Sequence, residues 1–254
     1  MPEIIFLPLT FLFGLIFGSF ANVCIYRLPK DIGLNKNSSC TSCKKKINYY
    51  HNVPIFSYLF LKGKCSNCKK KISIFYPIVE LITGLTFLIS YKIYGISYEF
   101  IFFIIFYSSL LIIFFTDLNE FLILDKISLP IGYLGLITSI IKLNPFNITY
   151  IESLIGAIAG YLLIFLIRFL YLKIRKIEGM GLGDAKLFFL IGAWFGYQSI
   201  FYILFFSSLI GSLIGIFIIL KFKKKAQYQL PYGCFIVLTA YTYPLLGTYF
   251  FNLI

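Results

Sequence analysis

The stretch Gly179-Met-Gly-Leu-Gly183-Asp184-Ala-Lys-Leu187 sets a carboxylate behind three glycines and ahead of a long apolar run. A second carboxylate, Asp117, closes the apolar run 99–116. Ionisable residues at membrane depth are expensive to desolvate, which makes each a candidate for function. Two carboxylates at one depth on separate helices can converge. Held close together they cannot both ionise easily, so they share a proton. One then serves as base toward water and the other as acid toward a carbonyl or a leaving amine. That is aspartic-protease chemistry, with Asp117 and Asp184 as the catalytic pair.

Glycines suit such a site. Backbone without side chains, here Gly181 and Gly183, can approach an extended substrate closely. Non-helical backbone is tolerated at membrane depth where it lines a watery cavity. Two competing readings stand beside this one. Asp184 can be a first-turn carboxylate complementing a helix dipole. Paired membrane carboxylates also serve proton relays, so a proton-coupled transporter is the alternative function. Transporter sites lie near the midplane, often between inverted repeats, whereas both aspartates fall at the boundary and no internal repeat is evident. The single histidine, His51, leaves no Ser-His triad and no HExxH zinc protease.

A second constellation lies in the first polar loop. Cys40-Thr-Ser-Cys43 and Cys65-Ser-Asn-Cys68 are two CxxC pairs separated by 21 residues. Each pair turns two thiolates toward one point, and four thiolates complete a tetrahedral structural Zn²⁺ site with no position left for water. Disulfides are the competing reading, but the charge distribution puts this loop in the reducing cytoplasm. Lysines 44–46 and 69–71 flank the knuckles, with lipid headgroups the nearer anionic partner; no nucleic acid is expected.

These groups must be positioned by membrane helices. The chain of 254 residues is 59% hydrophobic and only 13% charged, against roughly 25% charged in soluble domains. Apolar runs predict an all-α polytopic membrane protein with about eight transmembrane helices, at 4–26, 74–95, 99–116, 127–142, 150–172, 186–198, 200–220 and 233–252. The first is too long for a removable signal peptide and lacks its basic start and small-residue cleavage site. The expected division is a first helix over 1–26, a zinc-ribbon-like loop over 27–73 and a membrane core over 74–254. With that topology, 21 of the 23 Lys and Arg residues fall on one face, leaving Lys92 and Lys142 on the other. The positive-inside bias makes the basic face cytoplasmic and puts both termini outside.

Taken together, these residues resemble the type IV prepilin peptidases, membrane aspartyl proteases with a Gly-x-Gly-Asp motif, here Gly181-Leu-Gly183-Asp184. The resemblance covers nearly the whole chain. Gly18-Ser-Phe-Ala-Asn-Val-Cys-Ile-Tyr-Arg-Leu-Pro29 is similar to the family's N-terminal signature, and Tyr76-Pro77-Ile-Val-Glu80-Leu to the start of its second span. Asp117 stands where its first catalytic aspartate is expected, and Leu230-Pro-Tyr-Gly233 resembles its late Pro-aromatic-Gly element. Two positions depart from the pattern: Leu124-Asp125 replaces Pro-Asp, and Cys234 stands where proline is expected. The resemblance implies an inner-membrane enzyme that cleaves the basic leader of prepilins and pseudopilins at the cytoplasmic face. It further implies N-methylation of the new terminus with S-adenosylmethionine, for which the tetracysteine loop is the associated region and Glu80 a candidate binding residue.

Overall fold

The computed structural model describes residues 2–176, 180–222 and 229–252. Gly179 of the glycine run and Lys223, Lys224 and Lys225 of the basic count lie outside them. The chain divides into two compact units, Met1–Ile112 and Ile113–Ile254.

The first unit holds α1 (Pro2–Arg27), α2 (Phe56–Phe60), α3 (Phe75–Tyr94) and the start of α4 (Tyr98–Glu120). Helices α1 and α3 pack through small residues. A Cβ on Gly14 would lie 2.7 Å from the Gly84 Cα, and one on Gly18 would lie 2.6 Å from the Glu80 Cα. Such Gly-x-x-x-Gly stripes let backbones touch where lipid provides no hydrophobic drive to associate.

The second unit takes the end of α4 and adds α5 (Asp125–Ile140), α6 (Tyr150–Arg175), α7 (Leu182–Phe195), α8 (Gln198–Phe222) and α9 (Tyr232–Asn252). Every expected span is therefore a helix. Among the described residues, five helices are long and apolar enough to cross a membrane: α1, α3, α4, α6 and α8. Helix α7, the expected sixth span, is short. It has 14 residues, about 21 Å at 1.5 Å per residue, short of the ~30 Å hydrocarbon core. Nearly all of it from Leu187 to Phe195 is buried, so protein rather than lipid surrounds it.

Three side-chain contacts pin the far end of α7. Trp194 donates its ring N–H to the Ile131 carbonyl at 2.8 Å, Ser153 donates to the Ala193 carbonyl, and Asn144 donates to the Trp194 carbonyl at 3.3 Å. Its near end, at the glycine run, carries Asp184. The central helix is thus gripped at one end and presents a carboxylate at the other.

Candidate functional site

Asp117 sits in the last turn of α4. That helix stops three residues later because Phe121 takes a left-handed conformation, φ 54. The chain then runs through Ile123 to Leu124, which caps α5 in an extended conformation at φ −76. Proline's ring fixes φ near −65°, so leucine takes up the geometry a proline would have imposed, and the departure at 124 leaves the turn intact.

Asp184 lies in the first turn of α7. Its Oδ2 accepts the Gly181 N–H at 3.0 Å, while its own N–H donates to the Gly181 carbonyl at 3.2 Å. Arg168 on α6 steadies the glycine run from outside, donating to the Met180 carbonyl at 3.2 Å. The helix-end reading of Asp184 is therefore correct as geometry: the carboxylate does close the α7 N-terminus.

It is also close to Asp117. Ile123 packs against both Gly183, next to Asp184, and Gly233, which abuts the Asp117 carboxylate, and Asp117 and Asp184 are 5% and 7% exposed. Around them the packing needs glycine. A Cβ on Gly183 would lie 2.9 Å from the Ile123 Cβ, and one on Gly233 would lie 2.8 Å from the Asp117 Oδ2. Ile123 touches both glycines, since its Cδ1 is 3.0 Å from the Gly233 position. Three helix ends, those of α4, α7 and α9, meet at one buried acidic spot.

One partner of Asp117 was not legible in sequence. Its Oδ2 accepts the backbone N–H of Cys234 at 2.9 Å, and the Cys234 thiol turns away to the Phe114 carbonyl at 3.3 Å. A proline there would have no N–H to donate. The departure at 234 thus adds a hydrogen bond to the first aspartate.

Asp125 is different in kind. It is 56% exposed and pairs with Lys186 at 2.6 Å. Exposed pairs contribute about 0.2–1 kcal/mol. Asp125→Asn is expected to keep substantial activity and lose no more than that range in stability, read by thermal unfolding in detergent.

In the first unit the four cysteines come together. The sulfurs of Cys40, Cys43, Cys65 and Cys68 all lie within 4.8 Å of one another and none is in a disulfide. The Cys40 and Cys68 sulfurs are 3.9 Å apart; a tetrahedron built on bonds of about 2.3 Å has its corners about 3.8 Å apart. Each CxxC closes a tight knuckle of the same design. Lys44 N–H returns to the Cys40 carbonyl at 2.9 Å and Lys69 N–H to the Cys65 carbonyl at 3.0 Å, with isolated antiparallel bridges Ser39–Lys46 and Lys64–Lys71. Read back, the sequence does hold a short repeat, CTSCKKKI at 40–47 and CSNCKKKI at 65–72.

The knuckles prepare thiolates. Backbone N–H groups of Cys68 and Asn67 hold the Cys65 thiol down at about 6, and that of Lys45 lowers Cys43. Against a lowering hydrogen bond from Lys70, burial and the neighbouring thiols push Cys68 up to about 11. Four sulfurs this close cannot all carry charge without a cation among them. The donor set fits a metal ion. His51 stands outside it, its ring edge-on to Tyr50.

Glu80, the remaining candidate, is 8% exposed on α3, and its Oε2 accepts the Ile55 N–H at 2.7 Å. It belongs to the cysteine-bearing unit, not to the one holding both aspartates.

Known proteins share this sequence pattern. Residues 12–94 match the bacterial peptidase A24 N-terminal domain, and residues 104–216 match the type IV leader peptidase family. Over 272 residues the chain is 32% identical to a prepilin leader peptidase/N-methyltransferase of Pseudomonas putida, covering 97% of this chain and 93% of that protein. It is 31% identical to the one of Aeromonas hydrophila, with 93% and 89% covered. For that of Neisseria gonorrhoeae the identity is 34%, with 82% and 81% covered. No solved structure matches the chain. On these similarities, spanning almost its whole length, the chain belongs to the type IV leader peptidase family.

Proposed function

We propose that this protein cleaves the leader from prepilins and pseudopilins and methylates the new N-terminus. Asp117 and Asp184 are the catalytic residues. The observation that carries the reading is the meeting of two buried aspartates from separate helices at a glycine-lined spot. The pair holds one proton between them. The ionised carboxylate takes a proton from water as the oxygen attacks the scissile carbonyl carbon, and the other gives its proton to the carbonyl oxygen. Collapse of that adduct breaks the C–N bond, and the amine leaves with a proton returned from the pair. Gly181 and Gly183 keep the backbone beside Asp184 free of side chains, leaving room for an extended junction.

The enzyme lies in the bacterial inner membrane with this site at the cytoplasmic face and both termini outside. A prepilin's apolar helix remains in the bilayer while its leader junction reaches the boundary. Incubation with a full-length prepilin and S-adenosylmethionine in nanodiscs, followed by mass measurement, tests the reading directly. Loss of the leader with gain of one methyl group on the mature terminus is expected; an uncut substrate overturns it.

The metal is a structural Zn²⁺. One zinc per chain is expected by elemental analysis of detergent-purified protein, and Cys40→Ser is expected to lower it sharply. Because binding is also local folding, the loop of the variant is expected to become protease-sensitive. A metal-free chain with a protease-resistant loop would falsify the assignment. Cleavage is expected to survive in part, since the aspartates lie in the other unit.

A further inference from the structure

The loop between α1 and α3 carries large apolar side chains on its outside. Helix α2 sets Phe56, Leu59 and Phe60 at i, i+3 and i+4, which puts them on one face. All three are exposed, Leu59 by 65% and Phe60 by 85%. The opposite face is occupied: Ser57, Tyr58 and Leu61 line a cavity between the loop, α1 and α3. Against α2 sits the turn Tyr49–His51, where Tyr49 and Tyr50 are exposed as well. Left in water, these five side chains forgo the gain of burial. Contiguous exposed patches of this kind mark surfaces that a membrane or a partner covers.

The apolar face is held outward at both ends of α2. Ile55, which caps the helix, donates its N–H to the Glu80 carboxylate at 2.7 Å and so ties the start of α2 to α3. At the other end the Gly63 N–H returns to the Tyr58 carbonyl at 2.8 Å, and the Gly63 carbonyl accepts the Ile72 N–H at 2.7 Å. That second bond fastens α2 to the knuckle of Cys65 and Cys68. With both ends fixed, the helix does not roll Phe56, Leu59 and Phe60 inward.

Tether and charge decide what covers them. The loop leaves the end of α1 and returns at the start of α3, both long and apolar enough to cross a membrane, so its ends are fixed at the bilayer boundary. Ile74 and Phe75, where α3 begins, are exposed too and carry the apolar surface on toward the exposed Leu81 and Leu85. Residues 28–73 hold ten lysines against one carboxylate, Asp31. Lys62 and Lys64, directly after α2, are exposed. Phenylalanine and leucine on one face with lysine beside them is the composition of helices that lie in the headgroup layer, where tyrosine also gathers. Lysine there is drawn to anionic lipid. The competing occupant, a prepilin with its basic leader, meets like charge on the same surface.

We propose that α2 and the Tyr49–His51 turn are an interfacial anchor that seats the cysteine-bearing loop on an anionic lipid surface, with Phe56, Leu59 and Phe60 below the headgroups. The anchor requires only that α1 and α3 cross the bilayer, and it is independent of either catalytic activity. It holds the cysteine knuckles at headgroup depth, beside the ends of the two helices, rather than free in the aqueous phase.

The test is photocrosslinking of the full-length protein with p-benzoylphenylalanine in place of Phe60. The protein is placed in nanodiscs of phosphatidylglycerol or of phosphatidylcholine, irradiated, and its adducts are weighed. Lipid adducts are expected, roughly fivefold more with phosphatidylglycerol at low salt, the weight of one lysine brought to an anionic surface. The difference is expected to shrink at high salt, and Lys62→Gln together with Lys64→Gln is expected to remove most of it. Metal content and gel filtration report folding; if the probe at 60 disturbs either, the same probe in place of Leu59 decides. A folded protein whose probe takes up no lipid overturns the anchor. So does an adduct formed only with added prepilin or only with a second copy, which would make that partner the occupant. Equal lipid adducts in the two nanodiscs overturn the choice of an anionic surface.

Discussion

Asp117→Asn and Asp184→Asn are each expected to lower prepilin cleavage by about 10²–10⁴-fold, the usual contribution of a positioned acid or base, without unfolding the protein. The asparagine at 184 separates two roles that the geometry superimposes. Asp184 accepts the Gly181 N–H, and an asparagine amide oxygen caps a helix about as well as a carboxylate does. Were closing α7 its only task, Asp184→Asn would cleave normally. Loss of cleavage with an unchanged melting temperature identifies the proton as the working part. The double variant is expected to be little worse than either single one, because residues that act as a unit lose their effect together.

The same pair predicts a bell-shaped dependence of single-turnover cleavage on pH. The working form carries one proton on two carboxyls. Activity falls on the acid side as a second proton binds and on the basic side as the shared proton leaves. The two limbs belong to the pair rather than to either residue. A rate that climbs steadily to high pH would exclude proton sharing. Methylation of an already cleaved pilin is expected to persist in both Asn variants, since the cysteine-bearing loop lies in the other unit.

The second large effect is structural. Gly192→Val is expected to abolish recovery of folded protein, or to cost well over the 1–3 kcal/mol typical of an overpacked core. Helices α6 and α7 cross with backbones in contact. A Cβ on Gly156 would lie 2.5 Å from the Gly192 carbonyl oxygen, and one on Gly192 would meet the Gly156 carbonyl in turn. Both obstacles are backbone, which cannot swing aside as a side chain can. Parting the helices would move α7, and with it Asp184, so cleavage and thermal stability are expected to fall together. Gly33→Ala, whose Cβ would meet nothing within 4 Å, is the control, expected to change neither. A folded, fully active Gly192→Val protein would show that the crossing is looser than described.

Much of this was legible in the chain itself. Long apolar runs have only one way to satisfy their backbone in lipid, so each expected span is a helix. The CxxC knuckles were legible for a related reason: their hydrogen bonds close within five residues, and local spacing alone turns two sulfurs to one side. Asp117 and Asp184 stood out because a carboxylate in apolar sequence is costly wherever it lies. None of these features depends on which helix sits beside which.

Partnership does depend on it, and only the tertiary structure decided that. The apolar pattern of α7 is the same whether lipid or protein surrounds it. What makes it a central helix is the fit of Gly156 and Gly160 of α6 against its backbone. The donor to Asp117 comes from Cys234, 117 residues away, and a backbone N–H has no side-chain type to betray it. Glu80 likewise meets Ile55 only because α1 and α3 press together along Gly14 and Gly18 and bring the loop over the α3 carboxylate. Sequence determined the helices, the metal knuckles and the costly charges, because burial in lipid and local spacing are properties of a segment. Close approach of backbones is a property of a pair, so it took the folded chain to bring two aspartates together and to set the Ile55 N–H against Glu80.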